Sequence, residues 1–213
     1  ILENDSKKLI LANHSLKQLN IIQDDNFKGK YSSVVKMLNE CITPMGKRKF
    51  TYNFLNPVTN ADYLNKEYDI IETVLTNNDY SVLKPMLVQI KDINKIMRQI
   101  IMQRVSPKLL YQLYKSVCVA KQVYEFVILK EELTEYLQGK IPTFVSLMDK
   151  ATFIIDYFNE TLIMEDCKDI DNISKIEQSF IKNGVDDDLD NQIKTLMDSQ
   201  DQLEACRSYF SSL

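Results

Sequence analysis

The chain has 213 residues, 45% of them hydrophobic, and 26 Lys and Arg against 30 Asp and Glu give a formal net charge of −4. That is enough apolar material for one large domain or two small ones, and too acidic a balance for nucleic-acid binding by bulk electrostatics. Four glycines and five prolines are too few for a turn-rich β fold, so composition points to long helices with few breaks.

Residues 9–21 carry Leu9, Leu11, Leu16, Leu19 and Ile21 and read as part strand or loop, then a helical turn. Polar residues 24–30, with Gly29, read as a loop. Residues 31–41 continue with Val34, Val35, Leu38 and Ile42 at helical spacing. Thr43-Pro44-Met45-Gly46-Lys47-Arg48 is a helix start: Thr43 can cap the backbone, and Pro44 suits the first helical position, where its missing N–H needs no partner. Pro57 stops that helix and biases Asn56 towards an extended conformation.

Thr59 restarts the chain as a helix, with Asp62 as a short capping partner. Its predicted buried face is Ala61, Leu64, Tyr68, Ile71 and Leu75, spaced as a bundle seam, and Asn77-Asn78-Asp79 ends it. Leu83, Leu87, Ile90, Ile93, Met97 and Ile100 repeat the pattern, with a break at Asp92. Ser106-Pro107 opens the clearest helix, with Leu110, Leu113, Val117, Ala120, Tyr124 and Val127 inward; Leu133 and Leu137 extend the prediction to Gly139. Pro142 opens another, with Phe144, Leu147, Ala151, Ile154, Phe158 and Leu162 inward. Residues 165–172 are acidic and irregular, and residues 173–182 fit a helix or a short strand at Phe180-Ile181. After Gly184 a final helix runs from about Asp186 with Leu189, Ile193, Leu196 and Leu203 in register. Gln200 and Arg207 interrupt its seam, so it is predicted to be only partly buried and to project.

Little here suggests chemistry. A P-loop is absent: Cys41 stands where its first Gly belongs, and Arg48 where Ser or Thr belongs. His14, the only histidine, has no local partners for a catalytic arrangement and reads as a solvated or locally bonded side chain. One histidine excludes a di-iron bundle. Asp186, Asp188 and Asp190 imitate the first half of a calcium loop, but Asn191 replaces the required Gly and Met197 the bidentate Glu. Acidic residues favouring the helix dipole explain them better. Lys47-Arg48-Lys49, extended by Lys28 and Lys30, could face a phosphate, although a solvated charged face fits better. An acid pair among Glu165, Asp166, Asp169 and Asp171 is the only motive for an enzyme. Cys41, Cys118, Cys167 and Cys206 are widely separated and form neither a zinc nor a redox motif. No apolar run reaches membrane-spanning length and no signal peptide is recognisable, so the sequons at Asn13, Asn159 and Asn172 read as chance. The sequence therefore assigns no catalytic, cofactor, metal or nucleic-acid-binding residue. Ile1 at the start and a helical pattern still running at Leu213 predict an excised piece of a longer protein.

Several of these segments resemble the core, or lever, domain of MutS-family DNA mismatch-repair proteins, in order and over nearly the whole chain. That domain opens with a pattern like Leu-Asp-x-x-Thr-x-x-x-Leu-x-Ile. Leu11 to Ile21 is similar, with Ala12 for the Asp and Ser15 for the Thr. Thr43 to Arg48 matches the family's Thr-Pro-Met-Gly-x-Arg, and Pro57 its following proline, with Asn53 at the position of a common aromatic. Asn65, Asp69 and Ile70-Ile71 resemble the next helix, and Ser106-Pro107-Lys108-Leu109 a later proline-led start. Gly184 to Asp190 is similar to the Gly-x-x-x-x-Leu-Asp that begins the long helix towards the DNA clamp.

The resemblance implies an all-α, elongated multi-helix bundle. Residues 1–183 would form the core, and residues 184–213 the start of a projecting lever helix leading to a clamp that is absent here. It implies a non-catalytic domain, without cofactor of its own, that couples a mismatch reader and clamp to an ATPase using ATP and Mg. It further implies duplex mismatched DNA as a partner through other domains, a MutS-type dimer, no membrane, and an intracellular setting in cytoplasm, nucleus or a DNA-containing organelle. The alternative reading is a helical scaffold or adaptor that binds a partner helix in a groove. A projecting, unpaired C-terminal helix favours the lever; a large apolar groove without free helix ends favours the adaptor.

Overall fold

The computed structural model describes residues 12–23, 28–171 and 179–211. Leu9 and Leu11 of the first predicted segment, and the alternative of a helix or strand across residues 173–178, lie outside them. Helix α1 (Asn13–Gln18) and helix α2 (Val34–Leu38) are short. They are tied together because Val34 and Val35, whose N–H groups have no partner within α2, donate to the carbonyls of Asn20 (3.0 Å) and Ile21 (3.2 Å). The helical spacing across residues 31–41 yields only these five helical residues, since Ser33 caps α2 at Lys36 N–H. Helix α3 (Pro44–Leu55) begins at the Thr43 cap and ends before Pro57, as its sequence signals require.

Helix α4 (Ala61–Thr76) is capped by Asn60, which accepts from Tyr63 N–H at 2.8 Å, and not by Thr59. Its predicted face is also corrected. Tyr68, Ile71 and Leu75 are 60%, 54% and 59% exposed. Ile70 and Val74 pack inward instead. Asn78 in the left-handed region (φ 55°) turns the chain into helix α5 (Asp79–Gln89). The break at Asp92 is present, and Asp92 caps helix α6 (Ile93–Ile101) by accepting from Lys95 N–H at 3.2 Å. On α6 the buried side chain is Ile96, while Met97 faces outward.

Helix α7 (Pro107–Ile128) is the axis of the fold, about 33 Å long at 1.5 Å per residue. Helices α5 and α6 pack on it, as do three later elements: α8 (Glu131–Lys140), α9 (Leu147–Thr161) and α10 (Met164–Cys167). Ser106 makes no side-chain cap; Lys108 N–H donates instead to Ile170 O at 3.1 Å, so the α10 segment closes the start of α7. The N-terminal half of α7 contributes Leu113 and Val117 to a core with Ile96, Phe158, Met164 and Cys167. The C-terminal half contributes Val127 to a second core with Leu133 of α8 and Phe144 of the 3₁₀ turn before α9. Burial of each such side chain stabilises by about 1.5–3 kcal/mol relative to exposure. Ser116 is fully buried where α5 meets α7: it donates to Gln112 O (2.7 Å) and accepts from Lys91 N–H (3.0 Å), so a small hydroxyl satisfies the backbone just past α5.

The long helix does not extend to Gly139. It ends at Ile128, Leu129 is 80% exposed, and α8 starts afresh with Glu131 and Glu132 in its first turn, where acidic charge favours the helix dipole. On α9, Ile155 packs inward and Ile154 does not. The irregular acidic stretch contains the short helix α10, anchored by buried Met164 and Cys167. Phe180-Ile181 is extended: Ile181 bridges antiparallel to Leu162, with Ile163 N–H donating to Phe180 O at 2.8 Å. Gly184 has φ +85°, a value that favours glycine, and the chain then enters helix α11 (Asp187–Ser211). The molecule is an all-α bundle, in accord with its composition.

Candidate functional site

In the Thr-Pro-Met-Gly-x-Arg segment the structure accounts for Thr43, Pro44, Gly46 and Arg48. Thr43 Oγ1 accepts from Gly46 N–H at 3.0 Å, and a Cβ at position 46 would stand 2.9 Å from that oxygen and 3.5 Å from Cys41 Cβ. A side chain there would crowd the cap, and the Thr43 hydroxyl would have to shift to admit it. Pro44 occupies the first turn. Arg48 reaches across 44 positions to Asp92, forming two parallel contacts of 2.6 and 2.9 Å. Such a planar fork is the geometry that lysine cannot reproduce. Hydrogen bonding from Arg48 holds the Asp92 carboxyl down at about 2, helped by the Lys95 N–H. Asp92 thus caps α6 and clasps α3 with the same carboxylate.

A second polar junction joins α4 to α8. Glu67 accepts from Lys140 at 2.5 Å and from the Tyr136 hydroxyl at 2.8 Å. Lys140 also donates to the Tyr63 hydroxyl, and its ammonium lies 4.0 Å from the Tyr63 ring centroid and 5.2 Å from that of Tyr136. Burial pushes the Glu67 carboxyl up, but the Lys140 and Tyr136 hydrogen bonds outweigh it and hold it below its ordinary value. Burial likewise works against the Lys140 charge, yet the bonds to Glu67 and Tyr63 raise its pKa. The pairing is self-consistent: both partners stay ionised, and the network fixes the angle between two helices.

The residues singled out for chemistry are not brought together. His14 is exposed on α1. Asp186 accepts from Leu189 N–H at 2.9 Å and Asp190 from Gly184 N–H at 2.7 Å, so this acidic run builds the start of α11. Glu165, Asp166, Asp169 and Asp171 are all exposed around α10, and Asp171 pairs with Lys108 at 2.8 Å. Among the described residues no three His, Cys, Asp or Glu side chains converge as metal ligands. Arg48 is committed to Asp92 and Lys30 to Glu40 (2.6 Å), leaving Lys28, Lys47 and Lys49 as the exposed remainder of that basic patch. The four cysteines are free, and burial, with Asp166 nearby, pushes the Cys167 thiol up to about 11. No helix among the described residues is long and apolar enough to cross a membrane.

Sequence reading missed both junctions. Asp92 was read from the sequence as a break, which the structure bears out with a cap on α6, but its pairing with Arg48 is invisible to local spacing. The family model of MutS domain III matches residues 14–213. A mutS homolog of Acanthamoeba polyphaga mimivirus is 28% identical over 216 residues, covering 98% of this chain and 18% of that protein. The DNA mismatch repair proteins MutS of Borrelia turicatae and Borreliella burgdorferi are 27% and 28% identical over 89% of the chain and 20% of their own lengths. The chain thus spans about a fifth of the relatives it matches. With a match over residues 14–213 and an all-α fold organised on α7, the chain belongs to the MutS domain III family.

Proposed function

We propose that this chain is the non-catalytic lever of a MutS-type mismatch-repair protein, relaying movement between a DNA-binding clamp and reader and an ATPase elsewhere in the polypeptide. In this reading ATP, Mg and duplex mismatched DNA engage other domains, the whole protein works as a dimer in a DNA-containing compartment, and the arm begins near Gly184. The observation that carries the reading is α11. It spans 25 residues, about 37 Å, buries none of them, and is exposed at every position from Lys194 to Ser211. Only Leu189, Asp190 and Ile193 at its root are half-covered. A helix half-covered at its root on a packed bundle is suited to carrying rigid-body rotation, and exposure along its length favours the lever over the adaptor.

The test uses the full-length protein with a flexible Gly-Ser insertion between Leu196 and Leu203. Mismatch binding and basal ATP hydrolysis are expected to survive while ATP-triggered release from mismatched DNA fails. Unchanged release would refute the relay. The isolated chain should turn over no ATP, and measured turnover would overturn the division of roles.

A further inference from the structure

The cleft between the C-terminal half of α4 and the start of α8 is lined by five carboxylates, Asp69, Glu72, Asp79, Glu131 and Glu132, and one cation, Lys130. It consists of two adjoining cavities of about 280 and 410 Å3 that share Thr73, Asn77 and Glu132. Asp79 is the unusual member. It is 3% exposed, one of its oxygens lies 3.1 Å from Lys130 Nζ, and the other has no hydrogen-bond partner. A carboxyl group buried with one oxygen unanswered is a destabilising arrangement unless something else completes it. Lys130 does not do so alone, and its ammonium also sits 5.7 Å from the Phe126 ring centroid. The carbonyl end of α4 closes at Asn77, while α5 begins at Asp79 and α8 at Glu131, so helix ends of both signs meet at the cleft and offset part of its negative charge.

These charges call for a cation, and the site favours an organic one. No group of three metal-ligating side chains converges among the described residues, whereas a guanidinium or ammonium head brings its own donors and fits the volume. The neighbouring face of α4 supplies the rest of an interface. Tyr68, Ile71 and Leu75 are spaced as a helix-packing seam yet are more than half exposed, and Asp69 and Glu72 stand beside them on the same helix. Apolar surface flanked by carboxylates is complementary to an apolar seam flanked by Arg or Lys.

We propose that this surface docks a basic amphipathic helix of a protein partner, with an arginine or lysine head group seated against Asp79. The test titrates the isotope-labelled chain with an amphipathic peptide carrying a leucine seam and arginine flanks, followed by amide chemical shifts. Parallel arms use the lysine version, the same peptide with glutamate flanks, Mg2+ alone and a short DNA duplex. The expected result is saturable shifts at Thr73, Asn77, Glu132, Tyr68 and Ile71 with the arginine or lysine peptide, weakened about tenfold or more by Asp79→Asn. Because Asp79 is buried, the exposed pair Asp69→Asn with Glu132→Gln, and separately Ile71→Ser, provide variants that keep the fold; each should also weaken binding. The proposal is overturned if the glutamate-flanked peptide, Mg2+ or the duplex shifts the same amides equally. It is likewise overturned if the basic peptides give no saturable shift there, or if binding is unchanged in the surface variants.

Discussion

Replacing Phe158 by alanine tests the face on which α9 docks. Phe158 is 8% exposed and packs in the core with Ile96, Leu113, Val117, Met164 and Cys167, its ring edge-on to Tyr114 with centroids 6.2 Å apart. Truncation removes the ring's burial and leaves a cavity on the fold's central helix, at a cost of about 3–5 kcal/mol. For a chain of this size each kcal/mol shifts Tm by about 2–4 °C, so the melting point should fall by roughly 6–20 °C. Phe153 is the internal control: it lies on the same helix, one turn and a half earlier, and is 72% exposed. Phe153→Ala should change stability by no more than about 0.5 kcal/mol. Thermal and urea unfolding followed by circular dichroism measures both. Equal destabilisation by the two substitutions, or loss of stability by Phe153→Ala alone, would mean that α9 packs through another face.

Thr43→Ala should destabilise the chain by about 1 kcal/mol through loss of the α3 cap, and Gly46→Ala should act on the same bond by crowding Oγ1. Urea unfolding of the double variant should therefore show less than the sum of the single effects, and strict additivity would contradict the shared cap. The Arg48–Asp92 clasp should be pH-dependent. The Asp92 pKa is depressed to about 2, so its stabilisation is fully present above the ordinary carboxylate range and is lost as pH falls from about 4 towards 2. Comparing acid unfolding of wild type with Asp92→Asn should show a shallower dependence in the variant across that window; superimposable profiles would exclude the clasp. Mass-spectrometric alkylation at neutral pH should label exposed Cys206 on α11 well before Cys167, which is fully buried with its thiol pushed up to about 11. Protection of Cys206 would show that α11 is covered.

Helix starts were the most legible part of the fold because their chemistry is local: Thr43 with Pro44, Pro107 and the acidic run at Asp186 each act within one turn of their own position. Helix faces were less legible, and α4 shows why. Leu64, Tyr68, Ile71 and Leu75 form a better hydrophobic stripe than the face that packs, which combines Ile70 and Val74 with Tyr63 and Glu67. A count of apolar residues passes over a glutamate that meets a lysine and two tyrosines, yet that meeting sets the orientation of the helix. The same limit hid Asp92's second role. Spacing identifies a helix start but not an arginine 44 residues away. Ser116 was missed for a related reason, since its value lies in being small and hydroxylic where Lys91 N–H arrives.

Burial also determines which parts of the molecule move as one. The two cores are built on successive stretches of the same helix, Leu109 to Val117 and Val123 to Val127. A displacement of α9 or α10 at one core and of α8 at the other must therefore be accommodated by α7 as a whole, because close-packed side chains transmit strain and do not absorb it. The outer helices are attached differently. No residue of α3 or α11 is buried. Helix α3 is held through the Arg48–Asp92 fork, and α11 joins the bundle after Gly184, whose conformation is one that larger residues resist. Local opening should therefore have its lowest free energy at these two attachments and its highest in α7. Amide hydrogen exchange resolves the order directly: α7 amides around Leu113 and Val117 should exchange last, those of α11 beyond Lys194 first. Exchange of α7 as fast as α11 would remove the rigid axis on which the proposed relay depends.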